Sequence, residues 1–287
     1  MTGSFVRYAQ DGPVVLITID RPERMNAIGR SVHEGLVAAW GRFLADDDAH
    51  VAVLTGAGEE AFSAGGDLKS WEDGLPLTPT TPIERAAHDR GEAPGVLGPS
   101  RWTDVYKPTI AAINGVAYAG GLEWACWTHL AVADEHATFG VTCRRWNIGL
   151  ADGGTQRLPR IVGWRRAMEL IISGRVIDAA TALDWGLVNE VVARGTCVDR
   201  ALEWAQAIAA LPQPAIRTDL EAAERGWGQG LREGLRVEAE CFNRLLDDPQ
   251  TLEGLRRFNE RDHPDRERGG RPEVQGLDVP AGQEPHR

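Results

Sequence analysis

Two glycine pairs, each shortly after an apolar run, have the spacing of residues that could bind a ligand through their backbone. One pair lies in residues 61–68 and the other in residues 114–121. Glycine lets the backbone turn sharply and leave N–H groups directed at a ligand oxygen. A helix predicted to begin near Leu122 would add the unpaired donors of its N-terminus. Two such donors directed at one carbonyl oxygen would form an oxyanion hole, although a glycine pair alone is more often a simple turn.

The elements that must position these glycines follow from the hydrophobic pattern. Residues 31–44 predict an amphipathic helix with Ser31 as N-cap and Glu34 completing a capping box. Strand, helix and strand in this order predict a right-handed crossover and a mainly parallel sheet. The apolar runs that predict strands are residues 5–8, 14–19, 51–54, 109–113, 130–133 and 187–192.

The second half of the chain changes character. Helical periodicity predicts helices at residues 196–210, 214–225, 231–246 and 251–259. Residues 74–100 are rich in Pro and Gly and predict a mobile surface loop. We therefore expect an α/β core over residues 1–195, a helical region over residues 196–260 and a disordered tail over residues 261–287.

Six short motifs, in order and with compatible spacing, resemble the crotonase, or enoyl-CoA hydratase/isomerase, superfamily. The resemblance runs from about Phe5 to Asn259, and no single motif would carry it. The motifs are RPERMNA at residues 21–27, FSAGGDL at 62–68, AAING at 111–115, GGLE at 120–123, GGTQRL at 153–158 and DWGLV at 184–188.

This resemblance implies an α/β fold of the crotonase type, a β-β-α superhelix whose C-terminal helices mediate trimerisation. The expected assembly is a homotrimer or a dimer of trimers. The implied ligand is an acyl-CoA whose thioester oxygen lies between the N–H groups of Gly66 and Gly120, which would stabilise the enolate form. Since coenzyme A is part of the substrate, no separate cofactor is expected.

The resemblance also implies where coenzyme A binds. Ala64, Gly65, Asp67 and Leu68 match the stretch whose backbone lines the adenine and pantetheine path. Arg24 stands where relatives often carry a cation near the CoA phosphates, but an exposed loop arginine is an equally good interpretation.

Three residues decide the acid–base chemistry. Glu123 matches one of the two glutamates with which relatives of the hydratase type activate water, although a first-turn Glu could simply serve the helix dipole. The second glutamate position falls on Cys143, whose thiol has a higher pKa than a carboxyl group and holds water poorly. Asp152 lies near the aspartate that other members use as base or nucleophile, but it could equally be the N-cap of a helix.

Composition excludes other classes of function. The net charge of −11 argues against a nucleic-acid partner. Neither a membrane helix nor a signal peptide is visible, and four cysteines without CxxC spacing indicate reduced thiols, so we expect a cytoplasmic protein. The seven histidines lack metal-ligand spacing, and no metal is expected. Residues 56–61 imitate a dinucleotide fingerprint but lead into another loop instead of a helix.

The exact reaction stays open at this level. Glu123 without a second glutamate favours a double-bond isomerase or a specialised lyase, whereas the size of the hydratase group favours a hydratase. C–C bond-cleaving and hydrolytic members are alternatives. A non-catalytic scaffold of the same fold is a further one, and Cys143 gives it some weight.

Overall fold

The computed structural model describes residues 5–73 and 94–260. Within these ranges the strands form two sheets, one of six strands in the order β1-β2-β3-β5-β7-β10 and one of four in the order β4-β6-β8-β9. The strands are β1 Val6–Asp11, β2 Val14–Ile19, β3 Val51–Gly56, β4 Ala61–Ser63, β5 Thr109–Ile113, β6 Val116–Tyr118, β7 Leu130–Asp134, β8 Thr138–Gly140, β9 Val176–Asp178 and β10 Glu190–Val192.

Most of the strand pairs are parallel. Only β1 with β2 and β8 with β9 pair antiparallel among the strands described. Parallel strands are covered on both faces and therefore read as continuous apolar runs, and every residue of β3 is buried. The chain passes from the larger sheet to the smaller one in each turn, as from β5 to β6 and from β7 to β8. This is the β-β-α superhelix that the family resemblance implied.

Helices cover the two sheets. They are α1 Arg30–Ala45, α2 Gly120–Trp127, α3 Gly154–Val162, α4 Trp164–Ser173, α5 Ala179–Asp184, α6 Cys197–Ala209, α7 Gln213–Gly226, α8 Leu231–Leu246 and α9 Pro249–Glu260. All eight residues of α2 are buried, which is typical of a helix at the centre of a domain. Its Trp124 stacks on Trp40 of α1 at 6.1 Å between ring centroids, and Trp127 packs edge-on against both. The opposite face of the larger sheet is covered by α6, through Ala201, Ala205 and Trp204.

Three sequence predictions need correction. Helix α1 begins at Arg30 after Gly29, without a side-chain cap, and Glu34 pairs with Arg30 instead of forming a capping box with Ser31. The strand predicted at residues 187–192 is shorter, because only residues 190–192 form β10. Leu187 instead lies in the turn after α5 and is buried in the core. Residues 94–100 are packed against the core, with Leu97 and Ser100 buried, so the prediction of a mobile loop is wrong for these residues.

Other expectations lie outside the described residues. These are the rest of that loop, residues 74–93, and the tail predicted at residues 261–287. None of the helices in residues 5–73 and 94–260 is long and apolar enough to cross a membrane.

Candidate active site

The two glycine pairs meet because the strands before them are neighbours. β4 and β6 pair in parallel, with Ala61 opposite Val116, so the chain leaves both strands at the same edge of the smaller sheet. Gly65 has φ of +88°, and a side chain on it would place its Cβ 2.7 Å from the nitrogen of Gly120. Such an approach is open only to glycine.

The N–H groups of Gly66 and Gly120 are available to a ligand. Gly120 is the first residue of α2, and its N–H therefore has no acceptor within the helix. Among the hydrogen bonds of the described residues, none is donated by the backbone of Gly66 or Gly120. Ala119, with φ of +49°, turns the chain sharply just before the helix. Two free donors on adjoining segments are the arrangement that an oxyanion hole requires.

Both glycines open onto one cavity of about 120 Å³. Its walls come from the segments after β4 and β6, from residues 96–97 and from the loop before α3. The lining residues are Ala64, Gly66, Leu68, Val96, Leu97, Ala119, Gly120, Glu123, Thr142, Cys143, Trp146, Ile148, Gly149, Leu150, Ala151 and Asp152.

Glu123 is the titratable group best suited to proton transfer in this cavity. It is buried, and its Oε1 accepts the backbone N–H groups of Asp152 and Gly154, both at 2.8 Å. Burial, together with the nearby charge of Asp152, raises the pKa of Glu123 to about 7. A carboxyl group with a pKa near neutrality can both accept and release a proton at working pH.

Asp152 also lines the cavity, and its hydrogen bonds differ from those of an N-cap. Helix α3 begins at Gly154 with Gly153 as its N-cap and no side-chain cap. The Oδ1 atom of Asp152 instead accepts the N–H of Leu97 at 3.0 Å and the hydroxyl of Ser100. The N-cap alternative is therefore wrong, and the carboxylate joins two segments of the cavity wall.

Cys143, at the position where hydratase-type relatives carry a second glutamate, lines the cavity. It is buried, and this burial raises the pKa of its thiol, so the group is neutral near pH 7. A neutral thiol neither accepts a proton readily nor holds water strongly.

The candidate coenzyme A residues divide into two groups. Ala64 and Leu68 line the cavity, and Gly65 lies against Gly120. The carboxylate of Asp67 pairs with Arg21 at 2.7 Å, so this side chain holds the turn at residues 21–27 and does not line the cavity.

Arg24 is exposed and does not line the cavity. Its turn is nevertheless connected to the site, since the N–H of Ala64 donates to the carbonyl of Met25 at 2.9 Å.

Sequence reasoning missed the part of the cavity wall formed by Val96 and Leu97, and also Ser100 behind it, because it assigned all three to a mobile loop. It also missed Arg157, whose Nη1 donates to the carbonyls of Ser100 (2.8 Å) and Asp152 (3.1 Å). The adjacent apolar pair Val96-Leu97 between glycines was the available signal, because such a pair in a polar loop indicates local burial. The described residues contain no group of three potential metal ligands.

A crotonase-type superhelix with a buried carboxyl group beside two free glycine N–H groups defines a class of enzyme that acts on acyl thioesters. The sequence model of the enoyl-CoA hydratase/isomerase family matches residues 9–268. The chain therefore belongs to the enoyl-CoA hydratase/isomerase family.

Individual relatives agree with this assignment. The chain is 35% identical to an (E)-benzylidenesuccinyl-CoA hydratase of Thauera aromatica over 88% of this chain and 94% of that protein. It is 37% identical to a probable enoyl-CoA hydratase of Rhizobium meliloti, over 86% and 91% of the two chains. The crystal structure of an enoyl-CoA hydratase from Bacillus anthracis superposes with a TM-score of 0.78 at 32% identity, covering 89% of this chain and 96% of that one.

Proposed function

We propose that the chain catalyses the reversible addition of water to the double bond of an enoyl-CoA, with Glu123 as the group that moves the proton. The observation that carries the proposal is the position of this carboxyl group, buried in the same cavity as Gly66 and Gly120 with a pKa raised to about 7. The hydratase and dehydratase names of similar proteins support the same reaction.

The reaction needs a carbonyl site and a base. The thioester oxygen would accept the N–H groups of Gly66 and Gly120. Ionised Glu123 takes a proton from water while the water oxygen bonds to the β-carbon, and the electron pair of the double bond moves to the thioester oxygen as an enolate. The same proton then returns to the α-carbon as the enolate collapses. Loss of one oxyanion donor typically costs on the order of 3 kcal/mol of barrier.

Asp152 is the second carboxylate that lines the cavity among the described residues. Its Oδ1 accepts two hydrogen bonds, so Oδ2 is the oxygen that we assign to the second hydrogen of the attacking water, which it would orient while Glu123 moves the proton. Its charge also helps to raise the pKa of Glu123.

Coenzyme A would follow the segment of Ala64, Gly65, Asp67 and Leu68, with Arg24 at the phosphates. Coenzyme A would enter only as part of the substrate, without a further cofactor or metal. We also propose that the chain assembles as a homotrimer or as a dimer of trimers.

A second candidate reaction is double-bond isomerisation, in which Glu123 removes a proton from one carbon and returns it to another. Cys143 favours it, because the neutral thiol replaces the carboxyl group that would hold water from the other side.

A panel of enoyl-CoA esters, followed by mass spectrometry, tests the proposal. Hydration adds the mass of water, whereas isomerisation leaves the mass unchanged and moves the double bond. An enzyme that processes no acyl-CoA, and binds none, would refute both reactions.

A further inference from the structure

One apolar side chain covers the proposed oxyanion donor from inside the cavity. Leu97 is buried and lines the cavity. A Cβ added to Gly120 would overlap its Cδ1 atom, so the Leu97 side chain lies directly on the Gly120 backbone. An acyl group bound through its carbonyl oxygen at Gly120 must therefore pass Leu97.

The backbone of Leu97 is held on both sides. Its N–H donates to Oδ1 of Asp152 at 3.0 Å, and its carbonyl accepts Nε1–H of Trp124 at 2.9 Å. The next N–H, that of Gly98, donates to Nδ1 of His33 at 2.9 Å. Burial lowers the pKa of His33, so the ring is neutral near pH 7. One neutral tautomer accepts the Gly98 N–H at Nδ1, and the other donates from Nδ1 to the carbonyl of Val96 at 3.2 Å, so either tautomer ties His33 to this segment. Three separate elements thus fix this short segment.

Close packing removes the remaining freedom of the segment. Gly98 has φ of +101°, and a Cβ on it would lie 3.0 Å from the Trp124 ring. A Cβ on Gly95 would overlap both Ser100 and Asp152. The backbone that carries the Leu97 side chain therefore cannot move aside at low cost, because displacing it would leave buried polar groups unpaired.

We infer that Leu97 is a specificity-determining residue that limits the bulk an acyl group can carry on the carbon next to the thioester carbonyl. The inference rests on the proposed function, since it takes the thioester oxygen to be bound at Gly120. It identifies the preferred substrates as esters without a substituent on the α-carbon. Substitution farther along the acyl chain, away from Leu97, is not limited by this contact.

Binding of two saturated esters tests the inference without interference from turnover. Butyryl-CoA and 2-methylbutyryl-CoA differ by one methyl group on the α-carbon, and isothermal titration calorimetry gives both dissociation constants. We expect the wild type to bind butyryl-CoA about tenfold more tightly, within the range for one methyl group in a fitted pocket. Leu97→Ala should bring the two constants to within about twofold. Leu97→Val, which keeps more of the packing, should give an intermediate ratio.

Ile148→Ala is the matched control, because Ile148 lines the same cavity and the change also enlarges it. This control should retain the wild-type ratio. An unchanged ratio in both Leu97 variants, or an equal fall of the ratio in Ile148→Ala, would overturn the inference. Failure of the proposed function looks different, since the wild type would then bind neither ester more tightly than free coenzyme A. Circular dichroism confirms that each variant is folded.

Discussion

Glu123 occupies a position where folding and catalysis place opposite demands on one carboxyl group. Its pKa rises from 4.5 to about 7 because the ionised form is buried and lies near Asp152. Cys126, Cys143 and Arg157 also face it. Ionisation therefore opposes folding, whereas removal of a proton from water requires the ionised form.

The pH dependence of activity follows from this pKa. Because Glu123 must be ionised, kcat/KM for the best enoyl-CoA should rise about tenfold per pH unit below pH 7 and level off above it. Glu123→Gln should lower turnover by a hundredfold or more and abolish the rise of kcat/KM with pH below pH 7. A wild-type pH profile whose rise is centred near the ordinary pKa of 4.5 would assign Glu123 a structural role. A loss of turnover of less than threefold in Glu123→Gln, with binding unchanged, would do the same.

Although Glu123→Gln should lower turnover, it should raise the stability of the folded protein above neutral pH. A folded pKa above the unfolded one means that the folded state binds more protons between pH 4.5 and 7, so stability falls as the pH rises through this window. Gln keeps an oxygen for the N–H groups of Asp152 and Gly154. We expect Glu123→Gln to be about 1–3 kcal/mol more stable than the wild type at pH 8, with little difference at pH 4. Urea unfolding at both pH values measures this.

We expect Cys143 and Asp152 to determine how fast the site adds water. Asp152→Asn retains an oxygen for Leu97 and Ser100 but removes the charge, so turnover should fall by a hundredfold or more while acyl-CoA binding persists. The native protein should hydrate crotonyl-CoA slowly, and Cys143→Glu should raise that rate. Loss of the conjugated double bond is followed by absorbance. Fast hydration by the native protein together with a harmless Asp152→Asn would show that Glu123 works alone.

At the scale of elements, the short connections position the site more than the helices and strands do. Residues 94–100 carry no regular structure, yet they supply Leu97 and the hydroxyl that binds Asp152. Trp124 connects α2 to this segment through one hydrogen bond at 2.9 Å. Trp127, three residues farther along the same helix, donates to the carbonyl of Trp102 instead, at 3.3 Å.

These two tryptophans form a matched pair for a test. Trp124→Phe and Trp127→Phe remove the same ring volume and one donor each, and each should cost about 1–3 kcal/mol, or several degrees of Tm. Only Trp124→Phe should also weaken butyryl-CoA binding, by about tenfold, because it frees the Leu97 carbonyl. Equal effects of both variants on binding would contradict a specific role for the Trp124 hydrogen bond.

The same contrast explains what the sequence could predict. The strand at residues 109–113 and the helix at residues 231–246 match β5 and α8 in both bounds, because apolar periodicity over a whole element is a local property. The prediction of a capping box at Ser31 failed because the N-cap is Gly29, two residues earlier, and any such shift changes every cap position. The contacts of Leu97 with Asp152 and Trp124 span separations of 55 and 27 residues. No local pattern encodes them.

At the scale of the whole molecule, the C-terminal helices carry an apolar surface that the described residues of one chain leave exposed. The exposed side chains are Leu231, Leu235, Phe242 and Leu246 on α8 and Leu252, Leu255 and Phe258 on α9. On α8 they recur at helical spacing, so they lie along one face. Exposed apolar surface is typical of sites of association, and we propose that these helices form the trimer contact that the sequence resemblance assigns to them.

Light scattering tests the assembly and the role of this surface. The wild type should have about three or six times the chain mass of 31.2 kDa. Replacing Leu252 and Leu255 together by Glu should yield monomers, because burying two carboxylates without partners costs several kcal/mol each. Ile172→Glu on α4, at a residue that is 75% exposed outside this surface, controls for the added charge and should leave the mass unchanged. A wild type that is monomeric at micromolar concentration would refute the trimer. Assembly that survives the double change would place its interface elsewhere than on α9.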